Sequence, residues 1–179
     1  MATREARLPV LQPEEWTVEG EPGQRRLVYR WWGLDAVFYG AIGLLFVGTG
    51  TMAFLTPEGP PPVFVAHWAV GAFLVYLSVC KCLNRTTYAL GGGWFRVRHG
   101  PLWWPGAIDL PVESLHQLFV KRSSVRVNKQ PRWRVMAADR HGVLHRASPL
   151  MPSMYHARWL EQTIEEELGI VDQRMLGEE

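Results

Sequence analysis

The chain has 179 residues, 47% of them apolar and 20% charged, with a formal net charge of +2. That length holds one or two domains, and so small a net charge gives no general attraction to nucleic acid. The mean hydropathy of -0.07 conceals a partition, because most apolar residues fall in two blocks between Leu34 and Leu83; this excludes a single water-soluble globule, a disordered chain and a disulfide scaffold, since Cys80 and Cys82 stand too close together to staple a fold.

Residues 1–33 are read as an N-terminal cytoplasmic segment. Within it Trp16-Thr17-Val18-Glu19 and Arg26-Leu27-Val28-Tyr29 alternate around Gly20-Glu21-Pro22-Gly23. Such a pattern suits a hairpin that adds to a later sheet, and it equally suits an amphipathic or loose segment.

Residues 34–83 are predicted to form a two-helix transmembrane hairpin. Ala36 to Leu55 carries no charge over twenty residues, and a helix of that length spans about 30 Å, the hydrocarbon thickness of a bilayer. A second uncharged run goes from Val63 to Cys80 and reaches Leu83 if Lys81 snorkels to the interface. The prolines between Thr56 and Pro62 stop one helix and delay the next. A cleaved signal peptide is not expected, because more than thirty residues precede the first run and it exceeds a signal h-region.

Arg4, Arg7, Arg25, Arg26 and Arg30 precede the first helix, Lys81, Arg85, Arg96 and Arg98 follow the second, and the connecting loop has no cation. The positive-inside rule then puts both termini in the cytoplasm, with Trp31 and Trp32 in the inner aromatic belt. Trp68 reads as a packing residue or an outer-leaflet anchor. Ala36, Gly40, Gly43 and Gly50, with Val47 in register, form a small-residue face for close helix packing, against the second helix or against another subunit. Asp35 is placed to cap the first helix, and His67 to face the headgroups; neither supports transport.

Residues 84–171 are read as a cytoplasmic β domain. Strands are expected at Thr86–Leu90, Trp94–Arg98, Leu102–Leu110 (with Pro105-Gly106 as a point of interruption), Gln117–Arg122, Arg132–Ala138 and Val143–Ala147, with a tight turn at Gly91-Gly92-Gly93, a helical turn at Pro111–Leu115 and a polar, basic connection from Ser123 to Pro131. Met154, Ala157, Leu160, Ile164 and Leu168 recur at helical spacing, with Ser148 or Ser153 as cap candidate and Gly169 beyond the end. Residues 172–179 are read as a frayed tail. The order, about six antiparallel strands closed by one amphipathic helix, matches a PH-like fold: a bent antiparallel β-sandwich or barrel plugged by a C-terminal α-helix.

Asn84-Arg85-Thr86-Thr87, Val97-Arg98-His99-Gly100-Pro101-Leu102, Trp104-Pro105-Gly106 and Asp109-Leu110-Pro111 form a spaced set. In it the chain, from Arg30-Trp31-Trp32 to Leu168-Gly169-Ile170, resembles a family of bacterial membrane proteins with two transmembrane helices and a PH-like cytoplasmic domain. The resemblance implies that architecture and an inner-membrane location. It implies no activity and no catalytic residues. Many relatives carry a cysteine-rich zinc ribbon before the first helix, and this chain has no cysteine there, so no zinc is carried over.

The residues themselves offer no enzyme site. His141 and His145 are four apart without further ligands at convincing spacing, and Cys80-Lys81-Cys82 reads as structural thiols at a membrane boundary. The triple glycine lacks the Lys-Ser/Thr of a phosphate loop, and Glu165-Glu166-Glu167 reads as a solvated helix face. No cofactor and no metal are expected. One charge cluster stands out: Lys121, Arg122, Arg126, Lys129, Arg132, Arg134, Arg140 and Arg146 lie between Leu115 and Ala147, opposed only by Asp139. Under an inner leaflet each such cation is worth roughly 1 kcal/mol towards anionic lipid. Lys121, Arg122, Arg126, Lys129, Arg132 and Arg134 are therefore the candidate lipid- or partner-binding residues, and an ordinary positive-inside surface is the alternative account. The expected function is a non-enzymatic scaffold, assembly factor or accessory subunit whose PH-like domain binds a protein partner or anionic lipid. A homo-oligomeric channel is the second reading, although neither helix carries a polar stripe.

Overall fold

A computed structural model describes residues 10–57, 59–127 and 129–170. The frayed tail expected at 172–179 lies outside the described residues, as do Arg4 and Arg7. The elements run β1 (Trp16–Glu19), β2 (Arg26–Arg30), α1 (Leu34–Phe54), α2 (Pro62–Leu83), β3 (Arg85–Gly91), β4 (Trp94–Gly100), β5 (Ile108–Pro111), a 3-10 turn (Val112–Ser114), β6 (Leu115–Val127), β7 (Gln130–Asp139), β8 (Leu144–Arg146) and α3 (Met154–Leu168). They divide into two compact units: Arg30–Thr86 with His99–Pro105, and the rest of the chain.

In the first unit α1 and α2 are both long and apolar enough to cross a membrane, and only 17% and 11% of their most apolar stretches are buried. Leu44, Leu45, Phe38 and Phe73 are all more than half exposed. A soluble core helix hides such side chains, so this surface is compatible with membrane insertion. The small-residue face of α1 lies on α2. A Cβ added at Gly43 would meet the Val75 nitrogen at 2.8 Å, one at Gly40 the Ser78 hydroxyl at 2.8 Å, and one at Gly50 the Trp68 Cβ at 2.9 Å. Ala36 is fully buried, and its carbonyl accepts the Ser78 hydroxyl at 2.7 Å.

One expectation for this unit changes and another gains detail. Asp35 does not cap α1: Gly33 holds the cap position without a side-chain bond, and Asp35 pairs with Lys81 at 2.6 Å. An aspartate inside the first turn still suits the positive end of the helix dipole. His67, expected at the headgroups, gains partners on α1: its Nε2 lies 2.9 Å from the Thr49 hydroxyl, and its ring stacks on Phe46 at 4.0 Å.

The second unit holds a five-stranded sheet in the order β1-β2-β3-β4-β5 and a three-stranded sheet β6-β7-β8. The pairs β1/β2, β4/β5, β6/β7 and β7/β8 are antiparallel. The N-terminal hairpin thus joins the sheet, with Trp16 opposite Tyr29. Gly92 and Gly93 turn at φ 60° and 78°, the left-handed pair that a two-residue hairpin turn requires. The strand expected from Leu102 shortens to Ile108–Pro111, because Pro101 and Pro105 cannot donate to a ladder. Most of the polar connection expected at 123–131 is strand: β6 runs on to Val127 and β7 starts at Gln130.

The core gathers Trp16, Leu27, Tyr88, Phe95, Leu118 and Val135 from the strands with Ala157, Leu160 and Ile164 from α3. Trp16 lies 5.0 Å from both Tyr29 and Trp159 and 5.6 Å from Tyr88. Burial, and then the neighbouring Tyr29, hold the Tyr88 phenol well above its ordinary range, so it stays neutral. Ser153 caps α3, accepting the His156 amide at 3.3 Å, and Gly169 ends it at φ 66°. Ser148 does not cap the helix; its buried hydroxyl accepts the Val135 amide at 2.9 Å.

Candidate docking surface

All six predicted binding residues lie on the β6–β7 hairpin. The register sets Lys121 opposite Arg134, Arg122 opposite Trp133, Arg126 opposite Pro131 and Val127 opposite Gln130, with an irregularity between Arg122 and Arg126. Side chains alternate along a strand and directly opposed residues share a face. Val135 and Ala137, both fully buried, mark the core face of β7. Arg132 and Arg134, with Lys121, therefore stand on the opposite face, while Arg122 and Arg126 continue the core face beyond the core. Lys129 occupies the turn at φ 63°. Near the tip Val125 and Val127 are 47% and 39% exposed, so the cations are interleaved with apolar side chains.

The electrostatics are unbalanced. Lys121 faces Arg134 directly, an arrangement that costs stability in a sheet. Arg146 joins them, since it pairs with Met136, one alternate position from Arg134. Burial, and then the Arg146 charge, pull the Arg134 guanidinium below its usual range. Among the described residues no hairpin cation has a carboxylate partner, whereas Arg25, Lys81, Arg96 and Arg98 pair with Glu167, Asp35, Asp109 and Asp109. The Nε atoms of Arg132 and Arg134 are buried without an acceptor. Asp139, the nearest acid in sequence, is engaged elsewhere. Its carboxylate accepts the Val143 and His141 amides at 2.8 and 2.9 Å and lies 3.2 Å from His145. These bonds, the Val143 amide foremost, hold its pKa below the usual carboxylate range.

Arg146 belongs to the charge run without being one of the six binding candidates; only the pairing of β8 brings it beside Arg134. The acidic run also differs from its reading as a solvated face. Glu165 is buried, and Glu167 accepts the Gly23 amide and pairs with Arg25 at 3.3 Å, leaving Glu166 exposed. Among the described residues no three His, Cys, Asp or Glu side chains converge as a metal site would require. Cys80 is buried, Cys82 is exposed, and both are free thiols.

A second polar and aromatic cluster, absent from the sequence reading, lies in the helical unit. Trp31 Nε1 donates to the Thr86 hydroxyl at 2.7 Å, which lies 3.0 Å from His99 Nδ1. The Trp31 ring meets Trp104 edge-on at 5.1 Å and His99 at 5.6 Å. Asn84 bonds both backbone groups of Leu102, accepting its amide at 2.7 Å and donating to its carbonyl at 3.1 Å. No protein-family model matches the chain, and no curated protein matches it.

Proposed function

We propose that this is a non-enzymatic integral protein of the bacterial inner membrane, a relative of the two-helix, PH-domain family that its sequence resembles. Its β domain docks an anionic lipid surface or a protein partner through the β6–β7 hairpin, as a scaffold, assembly factor or accessory subunit. The carrying observation is the cluster of unpaired cations, with Lys121 set against Arg134 and exposed valines at the tip. Like charges held together at a cost to the sheet are accounted for by an anionic surface that neutralises them. The order of strands and closing helix supports the PH-like reading. The pairing order supports the topology: β2 and β3 are neighbours in one sheet, in keeping with a helical hairpin whose two ends share one side of the membrane, and the cation distribution favours the cytoplasmic side. The glycine face of α1 lies against α2, which supports the scaffold reading over a homo-oligomeric channel.

Reconstitution in nanodiscs of neutral and of anionic lipid tests the proposal, with hydrogen exchange as the readout. The hairpin amides are expected to be protected in anionic discs and not in neutral ones. Lys121→Glu, Arg122→Glu and Arg126→Glu together should abolish that protection, since losing three cations alone weakens surface attraction by about 3 kcal/mol, roughly a hundredfold, and the three new carboxylates add repulsion. Equal exchange in both lipids, combined with no stoichiometric partner on mild-detergent purification from the native host, overturns it.

A further inference from the structure

We propose that residues 101–105, entered from Gly100 at the end of β4, make a third contact with the bilayer, an irregular uncharged loop seated at the boundary between headgroups and acyl chains with Trp103 as its anchor. The proposal rests on α1 and α2 spanning the membrane. Gly100 to Ile108 contains no charged residue. The central Leu102-Trp103-Trp104 is bracketed by Pro101 and Pro105, which have no amide hydrogen.

The loop belongs to the helical unit and runs beside α2. The Tyr76 hydroxyl donates to the Trp103 carbonyl at 2.6 Å. Tyr76 lies seven residues before Leu83, about 10 Å along the helix axis. The Trp103 carbonyl thus stands alongside α2 rather than past its end.

Backbone at that depth needs its polar groups satisfied, because lipid offers no replacement for water. Here side chains supply the bonds. Asn84, 3% exposed, takes both backbone groups of Leu102, and Tyr76 takes the Trp103 carbonyl. On the inner side Trp104 packs on Trp31, whose indole nitrogen is bonded to Thr86.

Trp103 is left 77% exposed. A tryptophan turned outward costs hydrophobic free energy in water and is favoured at the headgroup level, where one edge is wet and the rest apolar. The occupant of this face is lipid, because the face is continuous with the outward surface of α2, where Phe73, Val79 and Leu83 are 58%, 40% and 54% exposed.

Depth-dependent fluorescence quenching in vesicles tests this on the full chain, with Cys80→Ala and Cys82→Ser as background. A bimane label is placed at Trp103→Cys and, separately with Trp103 retained, at Gly100→Cys, where a Cβ meets nothing within 4 Å. A third label at Leu44→Cys reports insertion of α1. The expected result is loss of fluorescence at 103 and 100 to lipids carrying a nitroxide near the headgroup, with little loss to aqueous iodide. Leu44→Cys should instead be quenched by lipids carrying the nitroxide deep in the acyl chain. Adding Trp103→Asp should restore iodide quenching at position 100. If the label at 44 is quenched by lipid while those at 100 and 103 are quenched by iodide, the loop proposal is overturned and membrane insertion stands. If the label at 44 is not quenched by lipid, the spanning reading fails and this proposal with it. Shielding of 100 and 103 from both quenchers means a protein surface, a second copy or a partner, covers the loop, and this too overturns the proposal.

Discussion

Single polar side chains that complete backbone bonds hold the turns of the β domain. Ser148 is the clearest case, because its hydroxyl is the acceptor for the buried Val135 amide. Ser148→Ala leaves that amide unsatisfied and is expected to cost about 1–3 kcal/mol, measured by denaturant unfolding of the reconstituted protein. Asp139 organises the turn before β8 through two amides and His145. Its folded pKa lies below its unfolded value, so its contribution is present above the ordinary carboxylate range near pH 4 and is lost as pH falls through the lower folded value. The stability difference between wild type and Asp139→Asn should therefore be full at neutral pH and shrink in acid. A difference that stays constant from pH 7 to pH 3 would contradict that assignment.

Among the elements, the helical hairpin is fixed by small residues. A Cβ at Gly71 would stand 2.7 Å from the Phe46 Cβ and 2.8 Å from the Val47 nitrogen, and neither atom moves without moving α1. Gly71→Ala is expected to push the helices apart, seen as a longer distance between spin labels on α1 and α2, whereas Gly48→Ala, which meets nothing within 4 Å, should leave the distance unchanged. Both helices are legible in the sequence because length, absence of charge and proline punctuation are local signals, and α3 because its apolar residues keep helical spacing. The sequence is less informative where pairing overrides composition. The stretch from Ser123 to Pro131 is polar enough to read as a loop, yet β6 and β7 extend each other through it. Leu102 to Ala107 is apolar enough to read as strand, yet Pro105, the preceding Pro101 and the side chains of Asn84 and Tyr76 hold it as a loop. The candidate cations are visible as a charge run. Their division between two faces, and the addition of Arg146, depend on a register that no local pattern specifies.

At the level of the whole molecule, neither unit is a continuous piece of chain. The helical unit is complete only with residues 99–105, and the β domain takes β1 and β2 from one side of the helices in sequence and β3 to β8 from the other. A chain truncated after Leu83 is therefore expected to insert its helices but to leave β1 and β2 without a sheet, with protease cleavage between Trp16 and Arg30 as the readout. Protection of that segment in the truncated chain would show that the hairpin is stable without β3.

The Asp35–Lys81 pair at 2.6 Å ties the start of α1 to the end of α2, and so brings together the two ends of the insertion that separates β2 from β3. Were residues 31–84 a flexible tether, bringing its ends together would carry an entropy cost of about 3–4 kcal/mol. Packing α1 against α2 first would meet that cost. A chain whose helices are already paired is therefore expected to close its sheet faster than one whose helices are kept apart, and the unpaired chain to stay open longer to proteases.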